Sequence, residues 1–208
     1  MFRLLVLALP LVTAGPLPGF KHVGGKNGVE VYRLMSSPVI DLFAEGDIEA
    51  PPAVVRDVLL DYDNAAKVTD NIRESRILQR SDHDATVYQR LKLPVVSDRD
   101  FTIHAVWGQR GEALTVQYNV DNSLGPAEKG GVVRVSLQNG AWALEPIRDG
   151  RATHARYHVQ IDLAGSIPKW MVSGGAAKSL PRLFGGLRKQ AAMRMEGTPV
   201  AGRDHNVQ

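Results

Sequence analysis

From Val29 onward the chain alternates apolar and polar residues with a period of two over most of its length. Successive side chains of a strand point to opposite faces, so this pattern dictates strands with one buried and one wet face. Val29-Glu30-Val31-Tyr32-Arg33-Leu34 is the first. Ile40, Leu42, Ala44 and Ile48 then alternate with Asp41, Phe43, Glu45 and Asp47. Further on come Phe101 to Trp107, Leu114 to Val120, Val133 to Leu137, and Trp142 with Leu144. Ala155, Tyr157, Val159 and Ile161 stand against His154, Arg156, His158, Gln160 and Asp162. Gln109-Arg110-Gly111-Glu112, Asn139-Gly140 and Asp149-Gly150 lie between such runs and predict hairpin turns. Strands joined by hairpins form an antiparallel meander.

Two stretches depart from that period. Pro51-Pro52 precedes Val54, Val55, Val58, Leu59 and Tyr62 at helical spacing, and proline suits the first turn of a helix. After Ser166, an N-cap residue, with Pro168 just inside, Trp170 and Met171 lead to a stripe of Leu180, Leu183, Phe184, Leu187 and Ala191. Gly174-Gly175, Pro181 and Gly185-Gly186 interrupt this second helix. Interior glycines cost about 1 kcal/mol each against alanine, and Pro181 predicts a kink or break near Ser179. Such a helix either opens as a lid or uses its glycines to approach the sheet closely.

The remaining constraints are compositional. A chain of 208 residues is one ordinary domain, and 44% hydrophobic against 23% charged residues is a globular balance. A net charge of +3 gives no reason to expect nucleic acid as a partner. With no cysteine, disulfides, thiolate metal sites and thiol nucleophiles are excluded. Met1-Phe2-Arg3, an apolar run from Leu4 to Val12 and the small residues Thr13-Ala14 fit a signal peptide over residues 1–14, cut near Ala14. That expectation places the mature protein in the periplasm or outside the cell. The domain then spans residues 20–195, and the aperiodic residues 196–208 are expected to form a disordered tail.

Strands, a short helix, a long meander and a long C-terminal helix together predict an α+β fold: a curved antiparallel sheet around that helix. Such a sheet leaves a tunnel unless large side chains fill it.

Several segments resemble bacterial START domains, the steroidogenic-acute-regulatory-related lipid-transfer family. They are Asn27-Gly28-Val29-Glu30-Val31-Tyr32 and Glu49-Ala50-Pro51-Pro52 with Val54 and Val58 to Leu60. Val87-Tyr88-Gln89-Arg90 with Val96-Ser97-Asp98-Arg99-Asp100-Phe101 is the most specific. Gly140-Ala141-Trp142 with Leu144-Glu145-Pro146, and Gly165 to Val172, complete the set. The resemblance implies the helix-grip fold, no cofactor, and a hydrophobic tunnel for one lipid, sterol or similar molecule. In that fold the inward residues form the site. The candidates are Val87, Gln89, Leu91, Phe101, Ile103, Val116, Tyr118, Trp142, Tyr157, Val159, Ile161, Trp170, Met171, Leu180 and Phe184. Gln89 shares a face with Val87 and Leu91, so its amide points inward and needs either a backbone partner or a ligand. The acid–arginine pair of some family members is not matched; neutral residues around Ala105 occupy that region.

Other polar groups take structural readings. Asp98, Arg99 and Asp100 fit an ion-paired start to a strand. His154 and His158 lie about 13 Å apart on one strand face, too far to share a metal, and are expected to be solvated. Six basic residues and no acid lie between Ser166 and Met195. Arg182, Arg188 and Lys189 are therefore candidates for contact with an anionic membrane. The expected protein is a monomeric, non-catalytic carrier. An enzyme of the polyketide cyclase or aromatase kind, and a partner-binding module with a collapsed cavity, are the alternatives.

Overall fold

The computed structural model describes residues 16, 18–37, 39–165, 167 and 175–197. The proposed signal peptide, Trp170, Met171, Gly174 and residues 198–208 lie outside the described residues. Ten strands form a single sheet: β1 (Phe20–Lys26), β2 (Val29–Leu34), β3 (Ile40–Ile48), β4 (Ile72–Arg80), β5 (Asp84–Leu91), β6 (Asp98–Arg110), β7 (Ala113–Val120), β8 (Val132–Arg134), β9 (Leu137–Ile147) and β10 (Ala152–Asp162). Their order is β1-β2-β3-β10-β9-β7-β6-β5-β4, so the sheet is open, with β1 and β4 at its edges. All pairings along that path are antiparallel, while β8 adds a short parallel pairing to β6.

Helix α1 (Pro52–Leu59) begins with Pro52 in its first turn and buries Val55 and Val58. A 3-10 turn at Tyr62–Lys67 then carries the chain to β4. The C-terminal helix α2 (Ala176–Glu196) buries Leu180, Phe184, Leu187 and Ala191, the stripe visible in the sequence. Of the kink or break expected at Pro181, the break is absent: α2 continues through it. Arg188 holds it to the sheet, donating from Nε to the Asp47 carbonyl (2.9 Å) and from Nη1 to the Asn27 carbonyl (2.6 Å). Arg194 holds it to the segment before the 3-10 turn, donating to Asp61 Oδ2 at 2.6 Å.

The turns at Gly111 and at Asp149-Gly150 fall between β6 and β7 and between β9 and β10, as the sequence indicates. Asn139-Gly140 does not form a turn. Both residues lie inside β9, where Gly140 pairs with Tyr118 of β7 and Val159 of β10. An ideal Cβ on Gly140 would lie 2.3 Å from Tyr118 Cζ. The glycine is there because an aromatic ring lies across the strand, not because the chain reverses.

The outer face of β3 and β10 is also drier than expected. His154 is partly exposed and binds Asp47 at 2.7 Å, but His158 is only 3% exposed. Its Nε2 lies 2.7 Å from Asp41 Oδ1, and the Phe20 ring covers it edge-on at 5.6 Å. Phe20, Tyr32, Phe43 and Ala143 form a small apolar cluster on this face, so His158 is not solvated. The cover comes from β1, whose glycine-rich sequence carries no clear alternation.

Candidate functional site

Between the sheet, α1, α2 and the 3-10 turn lies a cavity of about 210 Å³. Strand alternation puts the odd-numbered residues of β5, β6 and β10 on the sheet face that meets the cavity. Gln89, Leu91, Phe101, Ile103, Tyr157, Val159 and Ile161 therefore line it. Neighbouring strands add Leu42, Val116, Tyr118, Gln138 and Trp142. Helix α2 contributes Ser179, Leu180, Leu183 and Leu187 across from them. Val58, Leu59, Tyr62, Val68 and Asn71 close one side.

Most of the sequence-derived candidates thus meet in one place. Two described candidates do not line the cavity. Val87 is fully buried in the core. Phe184, also fully buried, packs behind the cavity against Trp142 with ring centres 5.5 Å apart. Trp142 in turn stacks on Tyr157 at 4.1 Å, which fixes the tyrosine's direction.

The cavity is apolar apart from a few polar groups. Gln89 donates from Nε2 to Ser75 Oγ at 3.0 Å, so its partner is a side chain of β4 rather than backbone. The hydroxyls of Tyr118 and Tyr157 are hydrogen-bonded to each other, and the Gln138 side chain beside Tyr118 acts to lower that hydroxyl's pKa. Burial pushes the Tyr118 hydroxyl up to about 12 and that of Tyr157 well above its ordinary value. Burial raises Tyr62 as well. The tyrosines are therefore neutral hydrogen-bonding groups at any physiological pH. Gln138 Oε1 is buried and has no partner among the described residues. Asp61 is the one ionisable carboxylate among the described lining residues, and Arg194 neutralises it. No cluster suited to a metal ion occurs among the described residues.

Sequence reasoning missed Gln138, and the cause is the misplaced turn. With a reversal at Asn139-Gly140, the strand before it keeps the odd phase of Val133 and Val135. With β9 continuous, the even phase of Trp142 and Leu144 runs back through Gly140 to Gln138. Tyr62, Val58 and Leu59 stand on the helical stripe, where the sequence alone does not separate cavity wall from core.

The Asp98-Arg99-Asp100 segment is structural, as its sequence suggests. Asp98 pairs with Arg73 (2.9 Å) and Arg90 (2.8 Å), and Asp100 pairs with Arg134 (2.8 Å) and accepts from Tyr88 (3.1 Å). Arg99 points to the other face and is 2% exposed. It donates to the carbonyls of Ser97 (2.5 Å), Leu163 (3.0 Å) and Ala164 (3.0 Å), holding the chain where it leaves β10.

An open antiparallel sheet gripping a long helix over an apolar cavity is the helix-grip fold. The START domain family model matches residues 20–192, and the chain belongs to that family. Among solved structures, a STAR-related lipid transfer protein from Xanthomonas axonopodis is similar at 25% identity, with a TM-score of 0.75, covering 84% of this chain and 99% of that one. Human StAR-related lipid transfer protein 5 shares the fold at 21% identity and a TM-score of 0.74, over 86% of this chain and 89% of its own. The Zhui aromatase/cyclase from a Streptomyces species shares it more distantly, at 15% identity and a TM-score of 0.53, covering 78% and 98%. No curated protein sequence matches this chain.

Proposed function

We propose that this protein binds one hydrophobic molecule, a lipid or a compound of similar character, in the cavity under α2 and carries it without chemical change. The observation that carries this reading is the cavity wall: aliphatic and aromatic side chains broken only by neutral hydrogen-bonding groups and one neutralised carboxylate. Such a surface favours an apolar guest by removing its area from water, at about 25 cal/mol per Å². A volume of about 210 Å³ is below the roughly 300–1,000 Å³ of pockets that hold drug-sized ligands. A full-length lipid therefore requires the walls to move apart. Native mass spectrometry of the purified protein, with analysis of its organic extract, tests the reading. One apolar molecule per chain is expected; a protein that neither retains nor takes up any apolar compound overturns it.

The inward tyrosines favour a second reading, an enzyme of the aromatase or cyclase kind. Tyr118 and Tyr157 can polarise a carbonyl by donating to it. Their raised pKa values make them poor bases, however, and no histidine stands among the described lining residues. These features weigh toward carriage.

We further propose that delivery occurs at an anionic membrane, in the periplasm or outside the cell, after removal of residues 1–14. Lys178, Arg182 and Lys189 lie exposed along α2, with Met193 51% exposed near its end. Arg188, expected from its charge to share this role, is instead committed to two backbone carbonyls. Each basic residue near such a surface contributes about 1 kcal/mol. Replacing Lys178, Arg182 and Lys189 by glutamine is expected to weaken binding to anionic vesicles by about a hundredfold, and equal binding at low salt contradicts the contact.

A further inference from the structure

The polar cluster in the cavity has unequal halves. Tyr118 and Tyr157 own two hydroxyl protons, and one is used in the bond between them. Among the described residues, neither hydroxyl has a further hydrogen-bond partner, and Gln138 lines the same cavity beside Tyr118. One tyrosine O–H is thus left over as a donor. Gln138 Oε1, also buried in the lining, is left over as an acceptor. The two groups sit together because β10, β9 and β7 are adjacent and the Tyr118 ring crosses Gly140 to reach Tyr157. A buried acceptor without a donor costs the full desolvation of that group, and few native groups stay in that state without a reason.

We propose that Gln138, Tyr118 and Tyr157 form a recognition point for a neutral hydroxyl on the buried end of the ligand. This rests on the carrier reading above. A hydroxyl is the small group that both accepts one hydrogen bond and donates one, and so satisfies both leftovers together. A ketone or ether accepts from the tyrosine but leaves Gln138 Oε1 bare. A carboxylate meets no lysine, arginine or histidine among the described lining residues, and Arg194, which reaches the lining through Asp61, is paired with it. Burying a carboxylate against an amide oxygen is unfavourable on both counts. The ligand class is therefore a neutral alcohol with an apolar body, and free fatty acids are selected against.

Three probes of one apolar length test this: decan-1-ol, its methyl ether and decanoate, bound to the intact protein after removal of any retained lipid. The ether is the more hydrophobic, so area alone favours it. The alcohol is expected to bind about tenfold tighter than the ether, with decanoate weakest. Gln138→Leu is expected to erase the gap between alcohol and ether. Ether binding equal to or tighter than alcohol in the wild type overturns the inference but leaves the carrier reading intact. Decanoate binding tightest does the same. Failure of all three probes to bind overturns both. The wild-type series decides the matter even if Gln138→Leu does not fold.

Discussion

Gly140 shows how one residue sets the site. Its missing side chain leaves the space that the Tyr118 ring fills, with Cζ 2.3 Å and Oη 2.4 Å from where a Cβ would stand. Alanine in a strand normally gains a little over glycine. Here Gly140→Ala is expected to cost about 1–3 kcal/mol, because the ring must leave and its bond to Tyr157 is lost. Thermal unfolding should fall by a few degrees. In a Tyr118→Ala background the same substitution should be neutral or stabilising, and an additive double mutant would contradict the assignment. The same residue marks the limit of the sequence reading. Asn-Gly is a strong local turn signal, but a ring from the neighbouring strand gives glycine a different use. Because that contact is long-range, a turn at this position puts Gln138 on the wrong face, while Tyr118, Tyr157 and Val159 follow from alternation alone.

At the level of the element, α2 separates two uses of glycine that its sequence leaves open. Gly186 is a close-packing position: a Cβ there would lie 1.9 Å from the Val68 carbonyl oxygen and 2.9 Å from Val68 Cα. Gly185 faces open space with no atom within 4 Å. Gly185→Ala is therefore expected to stabilise the fold by up to about 1 kcal/mol, the difference in helix propensity. Gly186→Ala is expected to destabilise it, since backbone rather than a flexible side chain must yield. Melting temperatures of the two variants check this, and a shift in the same direction for both would contradict it. The helical stripe and the strand boundaries of β2 and β3 are legible because their periods are local. Strand β4 is not, because bulges between Ile72 and Glu74 and between Ile77 and Gln79 break its alternation. The parallel pairing of β8 leaves no signal at all.

For the whole molecule, burial has a consequence that alkaline titration reads directly. All five tyrosines have hydroxyls raised above the ordinary value of 10, with burial the first cause in each. Tyr88 and Tyr118 reach about 12. The folded state therefore keeps protons that the unfolded state loses near pH 10. This stabilisation is fully present below pH 10 and is lost as pH rises toward 12. Tyrosinate absorbance should thus appear in the native protein well above pH 10 and together with unfolding, whereas in denaturant it should titrate near 10. A native titration centred at 10 would contradict the burial of these rings.

The central claim is that the space beneath α2 holds an apolar guest, and Val159 tests it most directly. This residue is 1% exposed, lines the cavity and stands on β10 opposite Gly140. Val159→Trp places an indole where the guest would lie, at an overpacking cost of about 1–3 kcal/mol that the fold can bear. The measurement is the affinity of a fluorescent apolar probe for the wild type and for the folded variant. Saturable binding of one probe per wild-type chain, lost or weakened at least tenfold in Val159→Trp, is the expected result. Unchanged affinity in a variant that retains its circular dichroism and cooperative unfolding would show that the guest does not occupy this cavity.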